Sequence, residues 1–168
     1  VPVAPGVQVE FVNAGHLLGS AYARLTIAED GKRPLRVLFG GDLGRYGRPI
    51  LPDPKPAPEA DVLLVESTYG DRVHEADDGG EAIARIVRDT IARGGKVLVP
   101  AFAIGRVEEV LYWLKRLEEA KRIPSVPVFV DSPMAVDALK YYEARSNELD
   151  PDANPAHGEV CAFCTTRL

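Results

Sequence analysis

The chain is poor in sulphur and in rings: two cysteines, one methionine, one tryptophan and 7% aromatic residues among 168. Cys161 and Cys164 form a lone CxxC, half of a structural zinc set with no second pair to complete it, and they read as ordinary thiols. A disulfide scaffold is excluded. The three histidines, His16, His74 and His157, include no HxH pair. No run approaches the roughly 18 apolar residues of a membrane helix, so no membrane partner is expected. Nor does charge of one sign dominate. Residues 1–70 carry seven basic and eight acidic side chains, and residues 71–168 carry thirteen and seventeen, for a net charge of −5. Non-specific nucleic-acid binding through bulk charge is therefore not indicated, although a local basic groove is still open. What is there is ordinary globular material, 46% hydrophobic and 27% charged. A chain of this length buries roughly 68–70% of its unfolded surface, enough for a real core.

The first 70 residues have strand rhythm. Val7–Val12, Tyr22–Ile27 and Leu35–Phe39 are strand candidates, with Asp30-Gly31 turning the second into the third. Residues 44–60 hold Gly44, Gly47 and five prolines between Pro49 and Pro58, a long irregular loop of the kind that often carries function. Asp61–Val65 is a continuous apolar run, as in a buried strand. The rhythm then changes. Ile83, Ile86, Val87 and Ile91 share one helical face, closed by Gly94-Gly95. Val107, Val110, Leu111, Leu114 and Leu117 make a second stripe. Ser132 and Pro133 are the cap and first residue of a third helix. Strand-like segments at 96–102 and 126–131 separate these helices. Alternation of this kind predicts an α/β fold with a parallel sheet in the second part and a domain junction near residues 70–80.

Three polar residues stand where strands end. His16 lies in AGHLLGSA, flanked by glycines that let a loop side chain project. Asp42 follows Leu35–Phe39 in FGGDLGR. Glu66 follows the apolar run and opens ESTYGDR. Taken singly, each has a plain reading: a surface histidine, a turn aspartate bonded to its own backbone, a carboxylate capping a loop. Taken together they make a stronger case, because consecutive strands tend to lie side by side and their ends converge. A histidine with carboxylates suits a divalent ion such as zinc.

AGHLLGSA, FGGDLGR, VESTYGDR, PAFAIGR and FVDSPMA occur in this order, and CAFCTTRL closes the chain. The set resembles the β-CASP branch of the metallo-β-lactamase fold, nucleases related to the cleavage-factor endonuclease of mRNA 3′ ends. The resemblance implies part of a metallo-β-lactamase αββα sandwich over residues 1–75 and part of a β-CASP domain over 76–168. It implies that His16 is a metal ligand and that Asp42 bridges two metal ions. It also implies that Glu66 is a catalytic acid beside them, holding a histidine that protonates the leaving oxygen. The implied activity is zinc-dependent ribonuclease chemistry: two ions hydrolyse a phosphodiester bond. RNA is the implied partner, a homodimer a candidate assembly, and the cytoplasm the compartment if the source is prokaryotic. The family's HxHxDH motif is expected before Val1 and its later histidines after Leu168. Two ligands do not complete two metal sites, so this polypeptide alone is expected to be inactive.

Arg106 and Ser132 sit at the carboxyl ends of the strand-like segments, where helix N-termini suit phosphate, and are candidates for facing RNA. Their plain alternatives are a salt-bridge partner and a helix cap. His74 either faces the cleft or braces the loop, and His157 reads as exposed. Trp113, Tyr141 and Tyr142, on helices, read as core or interface. The rival functions are a β-CASP nuclease acting on DNA or a relative acting on a small ester, a non-catalytic RNA-binding partner subunit, and a Rossmann-like module. The last lacks a glycine-rich phosphate loop.

Overall fold

A computed structural model of the chain describes residues 1–74, 78–151 and 153. Cys161, Cys164 and His157 lie outside the described residues. The chain forms two compact units that part between Val73 and His74.

The first unit is a five-stranded sheet: β1 (Pro2–Ala4), β2 (Val7–Asn13), β3 (Ala21–Ile27), β4 (Leu35–Phe39) and β5 (Val62–Leu64), in spatial order β1-β2-β3-β4-β5. All neighbours are antiparallel except β4 and β5, which run parallel with Phe39 opposite Leu64. Strand side chains alternate between faces, and the register converts that alternation into two unlike surfaces. On one face run the rows Phe11–Ala23–Phe39–Leu64 and Val9–Leu25–Val37–Val62, wholly apolar. On the other, Val12, Tyr22 and Leu38 pack with Ala14 and Leu43 into a small cluster, while Arg24 pairs with Glu10 across the strands. The strand bounds hold to within a residue or two and β1 is an addition, but β5, expected to be buried, is exposed along its length, because among the described residues no layer covers its apolar side chains. The loop over 44–60 is irregular as expected, pinned by buried Ile50 and Pro54.

The second unit contributes α1 (Glu81–Ala92), α2 (Arg106–Glu119), α3 (Pro133–Ala144) and a 3₁₀ turn at Ser146–Glu148. Ala84 and Val87 of α1 pack with Leu117 and Ile123, flanked by Ile83 and Leu114. Ser132 caps α3 as its sequence predicts, its Oγ accepting from Ala135 N–H at 3.2 Å, with Pro133 in the first turn. Tyr142 is buried, whereas Tyr141 is exposed with the Arg145 guanidinium over its ring, so Tyr141 is not a core residue among the described ones. The parallel sheet expected over 96–102 and 126–131 is not formed: among the described residues neither segment makes a ladder. The physical reason is that a strand needs a neighbouring backbone as well as an apolar sequence. Leu98, Phe102 and Phe129 remain 85–88% exposed. No described helix is long and apolar enough to cross a membrane.

Candidate active site

His16 lies on the loop joining β2 to β3. Ser20 shapes that loop: its Oγ accepts from His16 N–H at 2.9 Å and from Leu17 N–H at 3.1 Å. Asn13 Oδ1 accepts from Gly15 N–H at 2.7 Å. The loop is then stitched to the segment after β4, where Gly44 N–H donates to Ala14 C=O at 2.9 Å. Only glycine fits at Gly44, since a Cβ there would lie 2.3 Å from the Gly15 carbonyl carbon. This close approach sets His16 beside Asp42, with His16 Nε2 4.0 Å from Asp42 Oδ2 and both side chains open to solvent.

Leu43, next to Asp42, is the hub of the site through its backbone. Its C=O lies 3.3 Å from His16 Nδ1. Its N–H donates to Glu66 Oε1 at 2.6 Å. A proton on Nδ1 donated to that carbonyl leaves the Nε2 lone pair facing Asp42, the tautomer a metal-binding imidazole uses. Glu66 accepts a second bond at Oε2 from Thr68 Oγ1, 2.5 Å away. The Leu43 amide, then the Thr68 hydroxyl, hold its carboxyl below the usual carboxylate range, and burial opposes them. Glu66 is therefore an ionised anchor.

The strands explain why these residues meet. Parallel, in-register β4 and β5 end side by side, so the segments carrying Asp42 and Glu66 leave the sheet together. His16 follows β2 and is brought across by the Ala14–Gly44 bond. All three predicted residues of the first unit thus converge. Sequence reasoning missed Ser20, Leu43 and Thr68. A serine four positions after the histidine and a threonine two after the glutamate were the available signals, whereas a backbone amide leaves none.

The remaining candidates belong to the second unit. Arg106 begins α2 and is paired with Glu109, Nη1 to Oε2 3.2 Å. The hydroxyl of Ser132 is engaged in capping α3. His74 is exposed at the start of its unit. Among the described residues no group of three or more histidine, cysteine, aspartate or glutamate side chains could hold a metal. His16 and Asp42 have the right donor chemistry and proximity for one ion, and they are two ligands of the roughly four a zinc site takes.

A family model described as the β-CASP domain matches residues 107–167. A ribonuclease of Thermus thermophilus is 40% identical over 137 residues, 81% of this chain and 30% of the relative. The endoribonuclease YSH1 of Saccharomyces cerevisiae is 33% identical over 154 residues, 88% of this chain and 19% of the relative. The transcription termination factor FttA of Methanosarcina mazei is 37% identical over 134 residues, 77% and 20% respectively. The chain spans less than a third of the length of these relatives.

Proposed function

The chain belongs to the β-CASP family, and from that premise we propose that its protein is a zinc-dependent ribonuclease that hydrolyses RNA phosphodiester bonds with two metal ions. Residues 1–75 would supply the metallo-β-lactamase part and 76–168 the β-CASP part. The observation that carries the reading is the placement of His16 Nε2 4.0 Å from Asp42 Oδ2, with Leu43 tying both to Glu66. The names of two relatives, ribonuclease and endoribonuclease, support RNA as the substrate.

Each residue has a task in this mechanism. His16, through Nε2, and Asp42, through its open carboxylate, would be ligands. When bound, the two ions supply an activated water and neutralise charge developing on the phosphate. Leu43 C=O fixes the imidazole, so that Nε2 is presented without rotation. Glu66 holds the Leu43 amide, and each of its oxygens retains lone-pair capacity for a further donor, such as a histidine that protonates the leaving oxygen.

The test uses the intact protein. Elemental analysis is expected to find about two zinc ions per chain. His16→Ala and Asp42→Ala are expected to lose metal and to cleave RNA at least ~100-fold more slowly, beyond the 10–100-fold cost of removing an outer partner. A zinc-free protein that binds RNA tightly without cutting it would sink the reading in favour of a non-catalytic partner subunit.

A further inference from the structure

The two parallel strands that deliver the carboxylates deliver a second, repeated feature. After β4 come Asp42 and then Arg45-Tyr46; after β5 come Glu66 and then Tyr69 and Arg72. Each acid is thus followed within six residues by one tyrosine and at least one arginine. Because the strands are parallel and in register, both sets lie at the same end of the sheet. Neither tyrosine is taken into the core: Tyr46 is 68% exposed and Tyr69 57%. Both are held on structured turns. Gly47 N–H donates to Asp53 Oδ1 at 2.7 Å beside Tyr46. Gly70 N–H donates to Ser67 C=O and Arg72 N–H to Tyr69 C=O around Tyr69. The Arg72 guanidinium lies 5.6 Å from the Tyr69 ring centroid, within cation–π range.

We propose that Tyr46 and Tyr69, with Arg45 and Arg72 beside them, form a stacking rim that holds the unpaired nucleotides next to the scissile phosphate. The inference rests on the ribonuclease reading and deepens it. Its chemistry follows from the surroundings. A strand end carrying Asp42 and Glu66 repels a polyphosphate, so a polyanion needs nearby cations to approach; Arg45 adjoins Tyr46 in the chain, and Arg72, which also pairs with Asp71, lies over Tyr69. A tyrosine face accepts any base, whereas hydrogen-bonding groups would select one; single-strand binding of this kind combines a basic track with aromatic platforms. A flat apolar protein partner would not call for the arginines.

The experiment measures equilibrium binding of the metal-stripped intact protein to a short fluorescent single-stranded oligoribonucleotide, so that cleavage does not intervene. Tyr69→Ala and Tyr46→Ala are each expected to weaken binding about 5- to 50-fold, the effect of losing one stacked base. Tyr69→Phe should bind as wild type does, because the ring and not the hydroxyl carries the contact. An oligonucleotide abasic at the stacked position should bind wild type and Tyr69→Ala equally. Unchanged binding in both alanine variants, or a phenylalanine variant as weak as alanine, would overturn the rim. So would alanine variants that bind RNA normally but lose association with another protein. RNA cleavage by the metal-loaded wild type is read separately: its absence with stacking intact would overturn the ribonuclease reading and leave the rim standing.

Discussion

Replacing Glu108 by glutamine should stabilise the second unit, and more so as pH rises. Glu108 is fully buried on the first turn of α2. Neither carboxylate oxygen makes a well-formed hydrogen bond among the described residues; only the backbone amides at the start of the helix lie close enough to act on it. Burial pushes its pKa above the ordinary 4.5, and the backbone amides of Glu108 and Gly105 pull it back by less. An acid whose folded pKa is raised favours the folded state most where it is neutral in both states, below pH 4.5. That contribution is lost as pH climbs through the folded value. An unmatched buried polar group costs about 1–3 kcal/mol, more if charged, and a negative charge at a helix N-terminus recovers about 0.3–1 kcal/mol. Glu108→Gln keeps the volume and removes the charge, so a gain of about 1–2 kcal/mol is expected at pH 8 and almost none at pH 4. Trp113, the chain's single tryptophan, lies on the same helix and reports unfolding by fluorescence. With a urea slope of about 1–3 kcal/mol per molar, the midpoint at pH 8 should move up by roughly 0.5–1 M. A glutamine variant that is less stable at pH 8, or a difference that does not change with pH, would show the carboxylate to be ionised and matched, and the reasoning would be wrong.

Gly44→Ala should open the site from behind, because its Cβ would meet the Gly15 carbonyl carbon at 2.3 Å and Ala14 oxygen at 2.4 Å. Overpacking of that kind costs about 1–3 kcal/mol; a variant that takes up metal with wild-type affinity would show that His16 is placed by something else. Asp61→Asn should destabilise the first unit at neutral pH but not in acid. Asp61 Oδ2 accepts from Arg36 N–H at 2.8 Å, and Oδ1 pairs with Arg33. These contacts, the backbone bond foremost, hold its carboxyl below the ordinary 3.8. Its contribution is therefore present above pH 3.8 and lost as pH falls through the folded value. Urea midpoints that differ equally at pH 3 and pH 7 would contradict this.

Local signals were the legible ones. Asp30-Gly31 marks the β3–β4 turn, Ser132-Pro133 marks the start of α3, and the returning run Leu35–Phe39, stopped by Gly40-Gly41, matches β4 to the residue. His16, Asp42 and Glu66 were readable because short glycine-containing motifs at strand ends carry them, and strand order brings such ends together. What was not legible depends on partners distant in sequence. Leu43 acts through its peptide groups, which any residue would offer. Glu108 looks like one more surface acid of a helix, and only packing buries it. The segments 96–102 and 126–131 have strand composition, yet a ladder is a property of two backbones. Ile86 and Ile91 likewise share the predicted helical face but stay exposed, because among the described residues the buried side of α1 is Ala84, Val87 and Thr90, with Ile83 packed beside them.

The site is in this sense a reading of sheet register. Asp42 follows Phe39 by three residues and Glu66 follows Leu64 by two, and Phe39 stands opposite Leu64. A slip of one residue between β4 and β5 would shift Glu66 by about 3.3 Å along the strand and turn every side chain of β5 to the other face. The Glu66–Leu43 bond of 2.6 Å does not survive such a displacement. Register in a strand of three residues is weakly set by its own pairing, so it must be pinned from outside. Asp61 does so at one end, grasping Arg33 and the Arg36 amide. Gly40 N–H does so at the other, donating to Leu64 C=O at 2.8 Å. The salt-bridged entry of β5 and the glycine exit of β4 are therefore parts of the site, although neither touches it.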